Sequence, residues 1–334
     1  MRRTPRRLVV AGSVLVDILL YLDSPPAPGS AAVARRSLVT VGAGYNLLAG
    51  AARLGLPAAC ASLVGSGPFG SMVRQALGQI GVPMLLPDRD GDTGFDVGLV
   101  AEGSDRQTTF VGSRGVEATL TRADLEGVVL RPGDAVCVSG YDLTHEGSGG
   151  DLAGWASALD ESSLLVFDPG PMLAEIPCDL FDAILARTDV LSLNLVEATA
   201  LTAGTEPSGT AAGEPGPAAT AARVAVRLRT SAWEILRAGA GGCWVARRGG
   251  VPVHVPGRPA AVVDTTGAGD AHLAALLARL AAGDGVVRAA SWANVAASLA
   301  VERAGSSVGP SAGELAAAME RFAEGSVGPG SPMP

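Results

Sequence analysis

Apolar residues along the chain fall into short runs separated by glycine, proline and polar breaks and by longer stretches of helix formers. Runs at residues 8–11, 58–64, 135–139, 164–167, 190–193, 233–236 and 243–246 read as strands. Residues 47–54, a stretch from Ser71, and residues 150–159, 220–228, 271–280 and 289–301 read as helices. Strand followed by helix, repeated, predicts an α/β fold whose ligands sit at the C-terminal ends of parallel strands. A second group, residues 19–22, 34–41, 95–101 and 106–111, is short and β-prone, and taken alone reads as hairpins. Residues 204–219 are rich in glycine, proline, threonine and alanine and predict a flexible surface loop, and residues 325–334 a mobile tail.

The polar residues that interrupt this pattern carry the chemistry. Residues 260–263, bounded by Pro259, read as a further strand, and Asp264-Thr265-Thr266-Gly267-Ala268-Gly269-Asp270 joins it to the helix at 271–280. Gly267 and Gly269 let the backbone turn tightly and approach a ligand closely. The free amides of the helix's first turn, with its dipole, then suit an anion such as phosphate. A cradle does not explain Asp270, because a carboxylate repels the anion unless it takes a proton from an attacking nucleophile. A helix-capping carboxylate is the alternative.

The seven-residue string resembles the second signature of the phosphofructokinase-B (PfkB)/ribokinase family of small-molecule kinases, Asp-Thr-x-Gly-Ala-Gly-Asp. The resemblance spans about residues 9–315 and implies one ribokinase-like kinase domain over residues 1–334. That fold has three layers, a central mostly parallel sheet with helices on both faces, and a small β-sheet lid, here drawn from about residues 14–41 and 93–113. The implied activity is ATP-dependent transfer of the γ-phosphate to a hydroxyl of a small carbohydrate, with a nucleoside or vitamin kinase as the alternative. Asp270 would be the general base, and the amides of Gly267, Ala268, Gly269 and Asp270 the anion hole.

Other positions take roles from the same resemblance. Asp17 is an acid in an apolar run, either a loop aspartate bonded to backbone or, as in the family, a ligand for substrate hydroxyls. Val41 to Asn46 resembles the first signature, Gly-Gly-x-x-x-Asn, with Val41 in place of a glycine; Gly42, Gly44 and Asn46 would hold the substrate. Asn194 and Glu197 fit an Asn-x-x-Glu motif, although a plain helix start also explains them. In the family, Asn194 would place phosphates and Glu197 would hold Mg²⁺, mostly through water, which that ion retains. Arg237, Gly239, Gly242, Thr266 and Asn294 complete the implied ATP site, with Arg237 in place of a usual Thr or Lys. Carbonyls within residues 303–309 would serve a monovalent cation such as K⁺, and the lid would form a homodimer contact. Gly170 departs from a family Asp-Pro-Asn.

Gly65-Ser66-Gly67-Pro68-Phe69-Gly70 supports a rival reading. It follows a strand, precedes a helix and has Asp88 and Asp90 downstream, the context of an NAD(P)-binding oxidoreductase. Against it, the strand is at least the second in the chain, and the family itself reads Gly-x-Asp-x-x-Gly here, with Gly67 replacing the aspartate. Composition narrows the partners. The 334 residues are 48% hydrophobic, and the net charge of −8 without a basic run after the N-terminus argues against nucleic acid. Every basic residue is arginine, which removes a Walker lysine and a Schiff-base lysine. Four dispersed cysteines and three scattered histidines match no metal spacing. The basic residues before Leu8 and the apolar run to Leu22 mimic a signal peptide, but Asp17 and Gly12-Ser13 interrupt it. The expectation is a cytoplasmic enzyme with no membrane partner.

Overall fold

A computed structural model of the chain describes residues 4–101, 108–203, 216–305 and 307–326. The strands among these residues are β1 (Arg7–Val10), β2 (Val14–Leu22), β3 (Arg36–Ala43), β4 (Ala58–Cys60), β5 (Phe95–Ala101) and β6 (Thr108–Ser113). They continue with β7 (Asp134–Ser139), β8 (Leu164–Asp168), β9 (Val190–Asn194), β10 (Trp233–Arg237), β11 (Cys243–Ala246) and β12 (Val253–Val255). Eight form one sheet in the order β12-β11-β10-β9-β8-β7-β1-β4, parallel except where β11 pairs with β10 and β12.

The inner strands are buried on both faces, which is why they read as unbroken apolar runs. Leu8, Val10, Cys137, Val166 and Ile235 turn to one core with the helices Gly44–Arg53, Ala268–Ala281 and Val286–Val301. Val9, Val136, Val138, Phe167 and Leu191 turn to the other, with Ser148–Ser157, Cys178–Arg187 and Pro217–Arg227. Three layers follow. In the first core, a Cβ at Gly50 would lie 2.9 Å from Cβ of Ala274, so the absence of a side chain lets helix Gly44–Arg53 close directly on helix Ala268–Ala281.

The β-prone pieces form a separate four-stranded sheet, β3-β2-β5-β6. Strand β2 leaves β1 through the Gly12-Ser13 break, so the small sheet stands at the C-terminal edge of the large one. The apolar N-terminal run is thus two strands; Arg7 at its start pairs with buried Asp134 at 2.5 Å. Among the described residues no helix is long and apolar enough to cross a membrane.

Three expected elements differ. Residues 260–263 are not a strand: Pro256 and Pro259 remove ladder donors after β12, and the amides of Val263 and Asp264 donate instead to the Val301 carbonyl. Residues 58–64 pair only over Ala58–Cys60, beyond which isolated bridges tie Cys60 to Met84 and Gly65 to Arg89. Helix Pro217–Arg227 takes in the end of the expected 204–219 loop, and helix Ala312–Ser326 the start of the expected tail; residues 204–215 and 327–334 lie outside the described residues.

Candidate active site

Parallel strands place Asp168, Asn194 and Arg237 side by side, each the last residue of its strand. The Arg237 guanidinium reaches across them, with Nη1 3.2 Å from Asp168 Oδ2 and Nη2 3.8 Å from Glu197 Oε2. Asn194 and Glu197 form a capping box. The Glu197 carboxylate accepts from Asn194 N at 2.8 Å and from its Nδ2 at 2.6 Å, and Asn194 Oδ1 accepts from Glu197 N at 2.9 Å. The helix-start explanation therefore describes the local geometry, and Glu197 keeps one carboxylate oxygen turned toward Arg237.

Above these strand ends lies the glycine turn. Gly267, with φ +73°, leads into helix Ala268–Ala281, and a Cβ at Gly269 would sit 2.4 Å from Arg237 Nη1. The guanidinium thus rests on the turn that the sequence marks as an anion hole. Asp264 fixes the turn from behind, accepting from Thr266 N at 2.9 Å and Gly305 N at 3.0 Å.

Asp17 lies within β2, 8% exposed, on the face of the small sheet that carries Thr40 and Asp96 beside it in register. A Cβ at Gly42 would fall 1.9 Å from Asp17 Oδ2, so only glycine fits there. Val41 turns to the opposite face and is buried in the core, so this departure leaves the Asp17 face unchanged. Gly44 opens the helix that carries Asn46, and a Cβ on it would meet Val10 Cγ1 at 2.7 Å. Asn46 is 8% exposed; its side chain acts on the Asp270 carboxyl and draws its pKa down, and its Oδ1 has no partner.

Asp270 is where the two halves meet. Burial, then the Asp168 charge, pushes its carboxyl up to about 7, with Asp17 adding, against the opposing pull of Arg237 and the Asn46 amide. Asp17 also rises to about 7, through burial and then Asp96. A carboxylate near neutrality is poised to accept a proton.

Other positions serve the fold. Asn294 donates to the Val255 and Pro256 carbonyls and its Oδ1 meets His272 Nε2 at 3.1 Å, so its polar atoms tie β12 to the helices. Beside it lies an apolar hollow of about 590 Å³, lined by His254, Val255, Pro256, Val287 and Ser291. His254 contacts the Gly241 carbonyl at 2.8 Å, placing the Gly239–Gly242 turn next to that hollow. In the loop expected to serve a cation, the carbonyls of Ser307 and Gly309 accept from Arg53, and that of Val308 from Arg303.

The oxidoreductase reading is overturned. The amides of Phe69 and Gly70, which a dinucleotide phosphate needs, donate to the Asp92 carboxylate at 3.3 and 3.0 Å. A Cβ at Gly67 would lie 2.5 Å from Asp92 Cγ, so Asp92 fills the space left by the missing aspartate. Strand β4 is also the edge of the sheet, away from the strand ends that gather the acids.

Sequence reasoning passed over Asp96, Asp142 and Tyr141. Asp142, on the short helix after β7, accepts from Ser13 N at 2.8 Å and Ser13 Oγ at 2.5 Å and so holds the break between the sheets. The Tyr141 ring lies beside Gly170, and burial, then Asp96, Glu197 and Asp168, push its hydroxyl pKa up. Only Asp96 had a visible signal, an acid alone in a β-prone run.

A mostly parallel α/β sheet with a small sheet over its C-terminal edge, an acid at the start of a glycine-turn helix and a cation on that turn together define a phosphotransferase of the ribokinase-like fold. The chain matches the pfkB family carbohydrate kinase model over residues 5–312 and belongs to that family. It is 30% identical over 316 residues to the uncharacterized sugar kinase YegV of Escherichia coli, covering 93% of this chain and 94% of that one. It is 28% identical to the ribokinase of Mus musculus, covering 82% and 81%. The solved ribokinase of Arabidopsis thaliana, complexed with ribose and ATP, superposes with a TM-score of 0.73 at 24% identity, over 95% of this chain and 99% of that one.

Proposed function

We propose that the protein transfers the γ-phosphate of ATP to a hydroxyl of a small carbohydrate. The observation that carries this is Asp270 in the first turn of the glycine-turn helix, which rests against the Arg237 guanidinium, with Asp168, Asn46 and Asp17 near enough to act on its carboxyl. Asp17 and Asn46 accept and orient the acceptor's hydroxyls, Asn46 through a buried Oδ1 that has no partner. Asp270 takes the proton of the hydroxyl that attacks phosphorus. The first-turn amides from Gly267 to Asp270 and the Arg237 guanidinium hold the charge that gathers on the phosphoryl oxygens. Asp168 at the end of β8 and Glu197 in the first turn of the helix after β9, two carboxylates facing Arg237, fit a hydrated Mg²⁺, which would supply further charge neutralisation when bound with ATP. The hollow beside Asn294 and the Gly239–Gly242 turn suits the nucleotide's flat base.

A monovalent cation such as K⁺ stays part of the reading for the loop at residues 303–309, where arginines answer the carbonyls of residues 307–309. The reading also extends to a second copy of the chain. On the lid face away from Asp17, Val39, Ile18, Val97 and Val111 form one apolar row in register, with Val39 47% and Val111 62% exposed. Homodimerisation through that row would cover it.

The deciding experiment is ADP release by Asp270→Asn. Loss of a general base lowers kcat by about a hundredfold to ten-thousandfold, while ATP affinity changes little. Near wild-type turnover would remove Asp270 from the mechanism.

A further inference from the structure

The Asp17 face holds a second acid that the mechanism above leaves idle. Asp96 on β5 lies directly beside Asp17 in the parallel register, and a Cβ at Gly112 on the next strand would lie 2.6 Å from Asp96 Oδ1. Glycine at position 112 therefore leaves that carboxylate room at the surface of the cleft. Asp17 is more than nine-tenths buried. Asn46 Oδ1, on the helix Gly44–Arg53, is buried and unpartnered. Buried oxygens without donors cost free energy unless a ligand supplies the protons.

Among the described residues no arginine forms an ion pair with Asp17 or Asp96. Arg237 is turned to Asp168 and Glu197. Arg36, the basic residue in register on the same face, lies four residues along β3 from Thr40, roughly 13 Å at the strand rise, and stacks on the Tyr21 ring at 3.5 Å. Behind Asp96, the Glu117 carboxylate accepts from Gly94 N and Gly115 N, so it adds negative charge without facing the cleft. The acceptor side thus offers Asp17, Asp96 and Asp270 as hydrogen-bond acceptors in a negative field.

We infer that Asp96 is a specificity-determining residue: paired with Asp17 it receives hydroxyl donors from an uncharged polyhydroxy acceptor and turns away sugars bearing phosphate or carboxylate groups. Hydroxyls donating to carboxylates make charge-assisted bonds, whereas an acceptor's own anion meets like charge with no counter-ion. This rests on the kinase reading and narrows its substrate class.

The test is ADP release by the full chain with ATP and paired probes: D-ribose and D-fructose against their monophosphates, and D-glucitol against D-gluconate. At least one neutral probe should be phosphorylated, with kcat/KM about a hundredfold or more above its anionic partner. Asp96→Asn should raise the neutral probe's KM several-fold, narrow the neutral-to-anionic ratio about tenfold, and leave the KM for ATP unchanged. A wild-type preference for an anionic probe, or an Asp96→Asn enzyme with unaltered KM and ratio, overturns the inference while leaving the kinase reading in place. Failure of every probe of either charge removes the kinase reading, and the inference with it. If Asp96→Asn loses the native melting transition, Asp96→Ser and the wild-type ratio decide.

Discussion

Arg237 shows how one residue can serve two states. Without nucleotide its guanidinium neutralises Asp168 and Glu197 and covers the Gly269 backbone. In the proposed reading the same charge meets the phosphate oxygens of the nucleotide. Hydrogen bonds to charged groups contribute about 1.5–3 kcal/mol, so Arg237→Ala should raise the KM for ATP by about tenfold to a hundredfold and leave acceptor KM nearly unchanged. Arg237→Lys should recover only part, since an ammonium lacks the planar fork. The pH profile gives an independent check. Asp270 must be ionised to accept a proton, so kcat/KM should rise with pH to a plateau, with a midpoint near 7. Asp168→Asn removes a like charge and should move that midpoint down; Arg237→Ala removes an opposite charge and should move it up. A midpoint that ignores both substitutions would detach the rising limb from Asp270.

Strand β10 carries a liability along with Arg237. Glu234 faces Leu191 and Ala246 across its ladders, is 0% exposed, and neither carboxyl oxygen has a partner. Burial alone pushes it from 4.5 up to about 9. The folded chain therefore keeps a proton that the unfolded chain releases, and stability falls as pH rises from about 4.5 to 9. The loss by pH 7 is about 3 kcal/mol. Glu234→Leu should raise the melting temperature at pH 8 by several degrees and flatten its decline over that window, read by calorimetry from pH 5 to 9. An unchanged slope would mean that Glu234 is ionised in the folded chain.

Nothing in the apolar run around Glu234 foretold its lack of a partner, because partnership is settled by strands far away in sequence. What was legible at this scale was local. The inner strands show as apolar runs because both faces are covered, and the glycine-turn helix because its signature is contiguous. Residues 260–263 misled because apolar content says nothing about whether a neighbouring edge is within reach. Asn194 and Glu197 fit two explanations in sequence, and the capping box satisfies one without excluding the other. Asp96 stayed hidden because its meaning depends on Asp17, brought beside it only by lid pairing.

At the scale of the whole molecule, the proposed reading holds the acceptor between two bodies. Asp17 and Asp96 belong to the small sheet; Asn46 and Asp270 belong to helices of the main layers. If the apolar lid row is a contact between copies, Val39→Asp with Val111→Asp should shift sedimentation from dimer toward monomer and leave the melting transition of the large sheet within a few degrees. A wild-type monomer at micromolar concentration would end that proposal.

The close approach of Gly50 to Ala274 also bears on how this chain can be recombined with its relatives. Two motifs more than two hundred residues apart in the sequence are seated on one helix pair with almost no clearance between backbones. A chimera that takes the first glycine motif from one parent and the second from another brings together surfaces that have not been matched. Crossovers placed between residues 53 and 268 should therefore fail more often than crossovers that leave both helices with the same parent. The pair would be inherited as a unit, however freely the strands between them are exchanged.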